Sequence, residues 1–88
     1  MKRLFLICLF AVMSTGAWAQ DCIVSDPTGT PLNVRASPNG AIVGALHNGA
    51  AVRMLDMTFD ARGRRWAYVV PLGPGRRGWV FREFLLCR

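Results

Sequence analysis

The sequence predicts an all-β domain, and three observations carry this reading. No stretch of ten or more residues after position 19 keeps a helical apolar period. Short β-prone runs alternate instead with clusters of Gly, Pro, Asn and Asp. Two cysteines, Cys22 and Cys87, stand at the two ends of the stretch that contains these runs.

The first element is not part of that domain. In "MKRLFLICLFAVMSTGAWAQ", Lys2 and Arg3 precede an apolar run from Leu4 to Met13, and small residues then lead to Ala17-Trp18-Ala19. This order of basic, apolar and A-x-A segments predicts a secretory signal peptide over residues 1–19, cleaved before Gln20. The apolar run falls short of the ~20 residues a membrane-spanning helix needs. The expectation is therefore an exported chain, periplasmic or secreted, with no transmembrane span after cleavage. Cys8 leaves with the signal.

About 69 residues remain, enough for one small domain. A domain of that size buries only about 60% of its unfolded surface, so its core is marginal and a staple matters. In an exported chain Cys22 and Cys87 read as a disulfide. Closing a loop of about 65 residues is worth about 4 kcal/mol in the chain-entropy model, and it requires the chain ends to be neighbours, as in a closed barrel.

Without Lys2 and Arg3, the eleven basic residues become nine arginines against five acids, a net charge of about +4. That balance favours anionic envelope partners, phosphate-bearing lipid or glycan or acidic proteins, and serves solubility equally well.

The β-prone runs, in order, are "CIV", "LNVRA", "AIVGAL", "AAVRML", "WAYVV", "GWVF" and "LLC", separated by "SDPTGTP", "SPNG", "HNG", "DMTFDARGRR" and "PLGPG". The separators hold residues that permit positive φ or fix φ for a turn. Alternation assigns an inward face to Leu32 and Val34, to Ile42, Gly44 and Leu46, and to Ala50, Val52 and Met54. Gly44, in mid-strand, marks a bend or a close approach of backbones.

"GPGRRG", from Gly73, matches the G-x-G-x-x-G of dinucleotide-binding turns, but the context is wrong. That motif needs a preceding strand, a following helix and an acid about 20 residues on. Here Pro74 interrupts it and strand-like residues follow. A hairpin with a four-residue loop, Leu72 to Gly75, is the expectation. It sets Pro71 against Arg76, Val70 against Arg77, Val69 against Gly78, Tyr68 against Trp79, Ala67 against Val80 and Trp66 against Phe81. The small residues Ala67, Val69, Gly78 and Val80 then face inward. Trp66, Tyr68, Trp79 and Phe81 form an aromatic ladder on the outer side, either a register-fixing stack or a docking face.

No catalytic constellation stands out. His47, the single histidine, sits in the turn-like "HNG"; Asp21, Asp26, Asp56, Asp60 and Glu83 show no paired spacing; and the cysteines are spoken for by the disulfide. A non-enzymatic protein without cofactor or metal is expected. The basic clusters are Arg62, Arg64 and Arg65 in one loop and Arg76 and Arg77 beside another, at opposite ends of the same two strands. Interleaved arginine and aromatics can bind single-stranded nucleic acid, but an exported chain rarely meets it, so nucleic acid is not the expected partner.

Two stretches resemble the bacterial SH3 domain family. "LNVRASPNGAIVGAL" from Leu32 is similar to that family's opening, and "GRRGWVFREFL" from Gly75 to its closing hairpin, tight helical turn and final apolar residue. "RWAYVV" between them resembles its Trp-containing strand. The match runs from Leu32 to Leu86; it assigns residues 32–88 to the domain and leaves 20–31 as an N-terminal segment carrying Cys22. The resemblance implies a five-stranded, strongly bent SH3-like barrel in the cell envelope, acting as a binding module for a cell-wall peptide, peptidoglycan or an envelope protein. It implies a ligand groove that includes Trp66 and Phe84, to which the ladder adds Tyr68 and Trp79. Phe84 stands where the family usually has tyrosine. The short "ASPNG" loop lacks acids, so basic proline-rich peptides are not the expected ligand. A different function remains open: an interaction or inhibitor module that presents its arginine loops to an acidic envelope partner.

Overall fold

The computed structural model describes residues 19–88. The expected signal peptide, Ala19 apart, lies outside the described residues. The domain is all-β, as the turn-punctuated pattern predicts. Seven strands follow in chain order: β1 (Gln20–Val24), β2 (Leu32–Arg35), β3 (Ile42–Leu46), β4 (Ala51–Phe59), β5 (Arg65–Pro71), β6 (Gly78–Phe81) and β7 (Leu85–Cys87), with a 3-10 turn at Arg82–Phe84. All pairings are antiparallel and give the order β3-β2-β6-β5-β4-β1-β7. The strand count therefore differs from the expected five, and the ladder of pairs does not close between β3 and β7. The β2–β3 hairpin joins the rest through the single pair Arg35↔Trp79. Among the described residues, no helix is long and apolar enough to cross a membrane.

The ends meet as the cysteines require. Cys22 and Cys87 are directly opposed on β1 and β7, bonded, with Cα atoms 4.1 Å apart. Residues 20–24, which the resemblance leaves outside the domain, lie within the sheet between β4 and β7.

The core takes Leu32 and Val34 from β2, Leu46 from β3, Val52 and Met54 from β4, Ala67 and Val69 from β5 and Val80 from β6, closed by Val24 and Leu85. Ile42 does not join it. Val34 pairs with Gly44 but Arg35 pairs with Ile42, so Val43 is an extra residue; this bulge reverses the alternation, turns Val43 toward the core and leaves Ile42 54% exposed. A second bulge, at Leu55, bends β4 and leaves Leu55 exposed.

In the last hairpin the expected register holds from Trp66↔Phe81 through Ala67↔Val80 and Tyr68↔Trp79 to Val69↔Gly78. A side chain at Gly78 would meet Arg35 O at 2.6 Å and Val34 Cγ1 at 2.7 Å, so this glycine is what lets β2 approach β6. Beyond Gly78 the expectation fails. Val70 and Pro71 pair with Arg53 and Val52 of β4, and Leu72 N donates to Ala51 O. The end of β5 is drawn toward β4, and the connection lengthens to Leu72–Arg77.

Candidate functional site: an aromatic groove beside a basic loop

The outer face of β5 and β6 carries the aromatic ladder, but its members are not equivalent. Tyr68 meets Trp79 edge-on, with ring centroids 5.4 Å apart, and both are half-buried. Trp66 is 1% exposed, which corrects the expectation that it looks outward. Phe81 lies 4.1 Å away across the rings and covers it, and Phe84 from the 3-10 turn stands edge-on to Phe81 at 6.1 Å. Where these rings meet the outer residues of β2 there is a crevice of about 180 Å³, lined by Trp66, Phe81, Phe84, Asn33, Arg35 and Asp26 among others. Two of the predicted ligand residues, Trp66 and Phe84, thus come together in one groove. Tyr68 and Trp79 do not line it.

The loop between β4 and β5 is shorter than "DMTFDARGRR" implies, because Asp56 to Phe59 continue β4 and only residues 60–64 turn. Asp60 builds the turn. Its Oδ1 accepts from the backbone amides of Arg62 (2.9 Å) and Arg64 (3.0 Å), while Gly63 takes φ +79° and donates to Asp60 O. Asp60 Oδ2 accepts from Trp66 Nε1 (3.0 Å), Arg64 Nε (2.9 Å) and Asn39 Nδ2 (3.1 Å). The carboxyl is held well below the usual carboxylate range, chiefly by the Trp66 indole, with the Arg64 amide, Asn39 and the Arg62 amide adding to it and burial opposing it.

Asn39 reaches this carboxylate from another hairpin. In Ser37–Gly40, Pro38 is followed by Asn39 at φ +61°, and Gly40 N donates to Ser37 O; this is a type II turn, which requires positive φ at its third residue. Asn39 Oδ1 also accepts from Arg64 Nη2 at 2.9 Å. The Arg64 guanidinium lies over Phe81, 5.2 Å from the ring centroid. One carboxylate therefore ties the basic loop, the β2–β3 turn and the aromatic ladder together.

The arginines divide as the hairpin requires. Arg62 and Arg64 lie in the Asp60 loop, and Arg65, expected in the same loop, is the first residue of β5. Arg76 and Arg77 sit at the far end of β5 and β6, where Arg76 lays its aliphatic stem against Gly44. They do not form one patch. Among the described residues, only Arg53 (to Asp21) and Arg64 (to Asp60) have carboxylate partners, and no group of three His, Cys, Asp or Glu could hold a metal.

Asp60, Asn39 and Arg35 are absent from the site that the sequence alone proposes, and Phe81 enters there only as a member of the aromatic ladder. The signal for Asp60 is "DARG": an Asp two residues before an Arg-Gly pair at a hairpin tip is a side-chain-to-backbone turn. Nothing local indicates that its second oxygen serves Trp66.

Comparison of the chain with protein-family models, curated proteins and solved structures finds no match.

Proposed function

We propose that this chain is an exported, non-enzymatic binding module, a variant of the bacterial SH3-like barrel, that holds a cell-wall peptide in the groove of Phe81 and Phe84. The resemblance of the sequence supplies the class of ligand. The observation that carries the reading is the groove itself, where aromatic faces adjoin the polar outer residues of β2, Asn33 and Arg35. Such a surface supplies apolar contact and a few placed polar groups, which suits an extended peptide. Three of its features suit an SH3-like barrel: successive hairpins, bulges that bend β4 and β3, and a 3-10 turn before the last strand.

The test is sedimentation of the mature protein with purified peptidoglycan. Retention that Phe84→Ala weakens, with folding checked by thermal melting, is expected. No retention, or retention equal in wild type and Phe84→Ala, overturns the reading. Arg62 and Arg65, which have no carboxylate partner among the described residues, favour a second one, an acidic envelope protein docked on and beside the loop. Its sign is binding that falls steeply with added salt, because exposed charges are screened within about 8 Å at physiological ionic strength.

A further inference from the structure

We infer that the groove is selective for a short apolar peptide with a free terminal carboxylate, and that Arg64 receives this carboxylate. The inference rests on the groove's being the binding site, and it adds the ligand's charge and orientation.

Three depressions adjoin along this face. A shallow one of about 480 Å³ is lined by Asn39, Asp60, Arg62 and Arg64. A crevice of about 150 Å³ is lined by Arg64, Arg65, Phe81 and Glu83. The third is the aromatic groove, also lined by Phe81. Arg64 belongs to the first two and Phe81 to the last two. The guanidinium therefore stands where the aromatic groove runs into the basic loop.

Arg64 is held in place before any ligand arrives. Nε donates to Asp60, Nη2 donates to Asn39, and the plane rests on Phe81. Nη1 has no hydrogen-bond partner among the described residues, and the side chain is 40% exposed. A guanidinium already fixed at two nitrogens loses little freedom when a carboxylate reaches the third, which favours affinity.

The charge balance selects the ligand further. Asp60 receives five hydrogen bonds, so its own charge is fully engaged inside the loop. Against Arg62, Arg64 and Arg65 stand only Asp60 and Glu83, leaving one positive charge. That matches a monoanion such as a carboxylate better than a doubly charged phosphate. The neighbouring Phe81 and Phe84 ask for an apolar residue next to the charge.

The probes are N-acetylated apolar dipeptides, each as free acid and as C-terminal amide, titrated into the native protein. Nuclear magnetic resonance of Trp66 Nε1–H, Arg64 Nε–H and the Phe81 and Phe84 amides reports the site. Saturable shifts with the free acid are expected, with affinity at least about tenfold above that for the amide form, because a hydrogen bond to a charged group is worth about 1.5–3 kcal/mol. In dissociation constants, the free acid has the smaller value. Arg64→Gln should remove this preference, and Arg76→Gln, at the far end of the hairpin, should leave it intact. Equal binding of acid and amide overturns the inference without needing any variant. So do the absence of saturable shifts at millimolar free acid, and shifts centred on Arg76 and Arg77. A parallel arm uses soluble peptidoglycan fragments with their carboxyls free or amidated. Fragments that bind regardless of amidation overturn the inference and leave the wall-binding reading standing. Free-acid dipeptides that bind at Arg64 while fragments do not support the inference and overturn the wall as ligand source.

Discussion

Beside the first residues of β4, where Cys22 pairs with Val52, a covalent bond joins Cys22 to Cys87; past the far end of the same strand the Asp60 carboxylate gathers Arg64, Trp66 and Asn39. Both fasten parts of the chain distant in sequence, 65 residues apart in the first case and 21 between Asn39 and Asp60 in the second. They act on different states. The disulfide restrains the unfolded chain and is indifferent to which native side chains surround it. The Asp60 network exists only in the folded molecule, depends on one ionised group, and sets the posture of Arg64 and Phe81. Stability and ligand geometry are thus entrusted to opposite ends, and each can be altered while the other is watched.

The largest expected effect is at the disulfide. Reduction, or the double change Cys22→Ala with Cys87→Ala, should destabilise the domain by about 4 kcal/mol, given the 65-residue separation. Urea unfolding of the oxidised and reduced protein measures it. If the two ends are independent, the Trp66 Nε1–H resonance of whatever reduced protein remains folded keeps its native position. A large displacement would mean that the Asp60 end relies on the staple.

Next is Gly78→Ala, which places a methyl group against Arg35 O and Val34 Cγ1 where β2 meets β6. Overpacking of this kind costs about 1–3 kcal/mol. The loss should appear in the unfolding midpoint, together with weakened amide protection in β2 and no change at β1 and β7.

The pH response separates the two fastenings. Asp60 is more acidic folded than its ordinary value of 3.8, so its contribution is complete above that value. As pH falls below about 4 the unfolded chain takes up the proton first, and the contribution is lost progressively toward the folded value. Wild type should lose stability faster between about pH 4 and about pH 2 than Asp60→Asn, whereas the difference between oxidised and reduced protein should stay level. Parallel curves for wild type and Asp60→Asn would remove Asp60 from this role.

The same contrast explains what was legible in the sequence. Two cysteines at the two ends of the β-prone stretch are enough to suggest the disulfide, and the Trp66–Phe81 register follows from alternation and a Gly-rich turn, a local signal. Alternation misplaces Ile42 because a one-residue bulge at Val43 reverses parity; the adjacent Gly44 signals an irregularity but not which residue is the extra one. For Trp66, alternation gives the correct side of the strand but not the exposure, since its cover, Phe81, and its hydrogen-bond partner, Asp60, come from other elements. Alternation assigns a side chain to a face; only tertiary packing decides whether that face meets water.

The smallest effect isolates the bridge between hairpins. Asn39 combines a positive φ with an amide that joins Asp60 to Arg64. Asn39→Gly keeps the backbone conformation and removes the amide, whereas Asn39→Ala removes the amide and forces a β-carbon into the left-handed region, at about 1 kcal/mol more. Stability should therefore rank wild type above Asn39→Gly above Asn39→Ala in urea unfolding. Asn39→Gly should also broaden or shift Arg64 Nε–H while the resonances of Cys22 and Cys87 stay fixed. If Asn39→Gly equals wild type in both stability and the Arg64 signal, Asp60 alone holds the guanidinium, and the second hairpin is a neighbour of the site without being part of it.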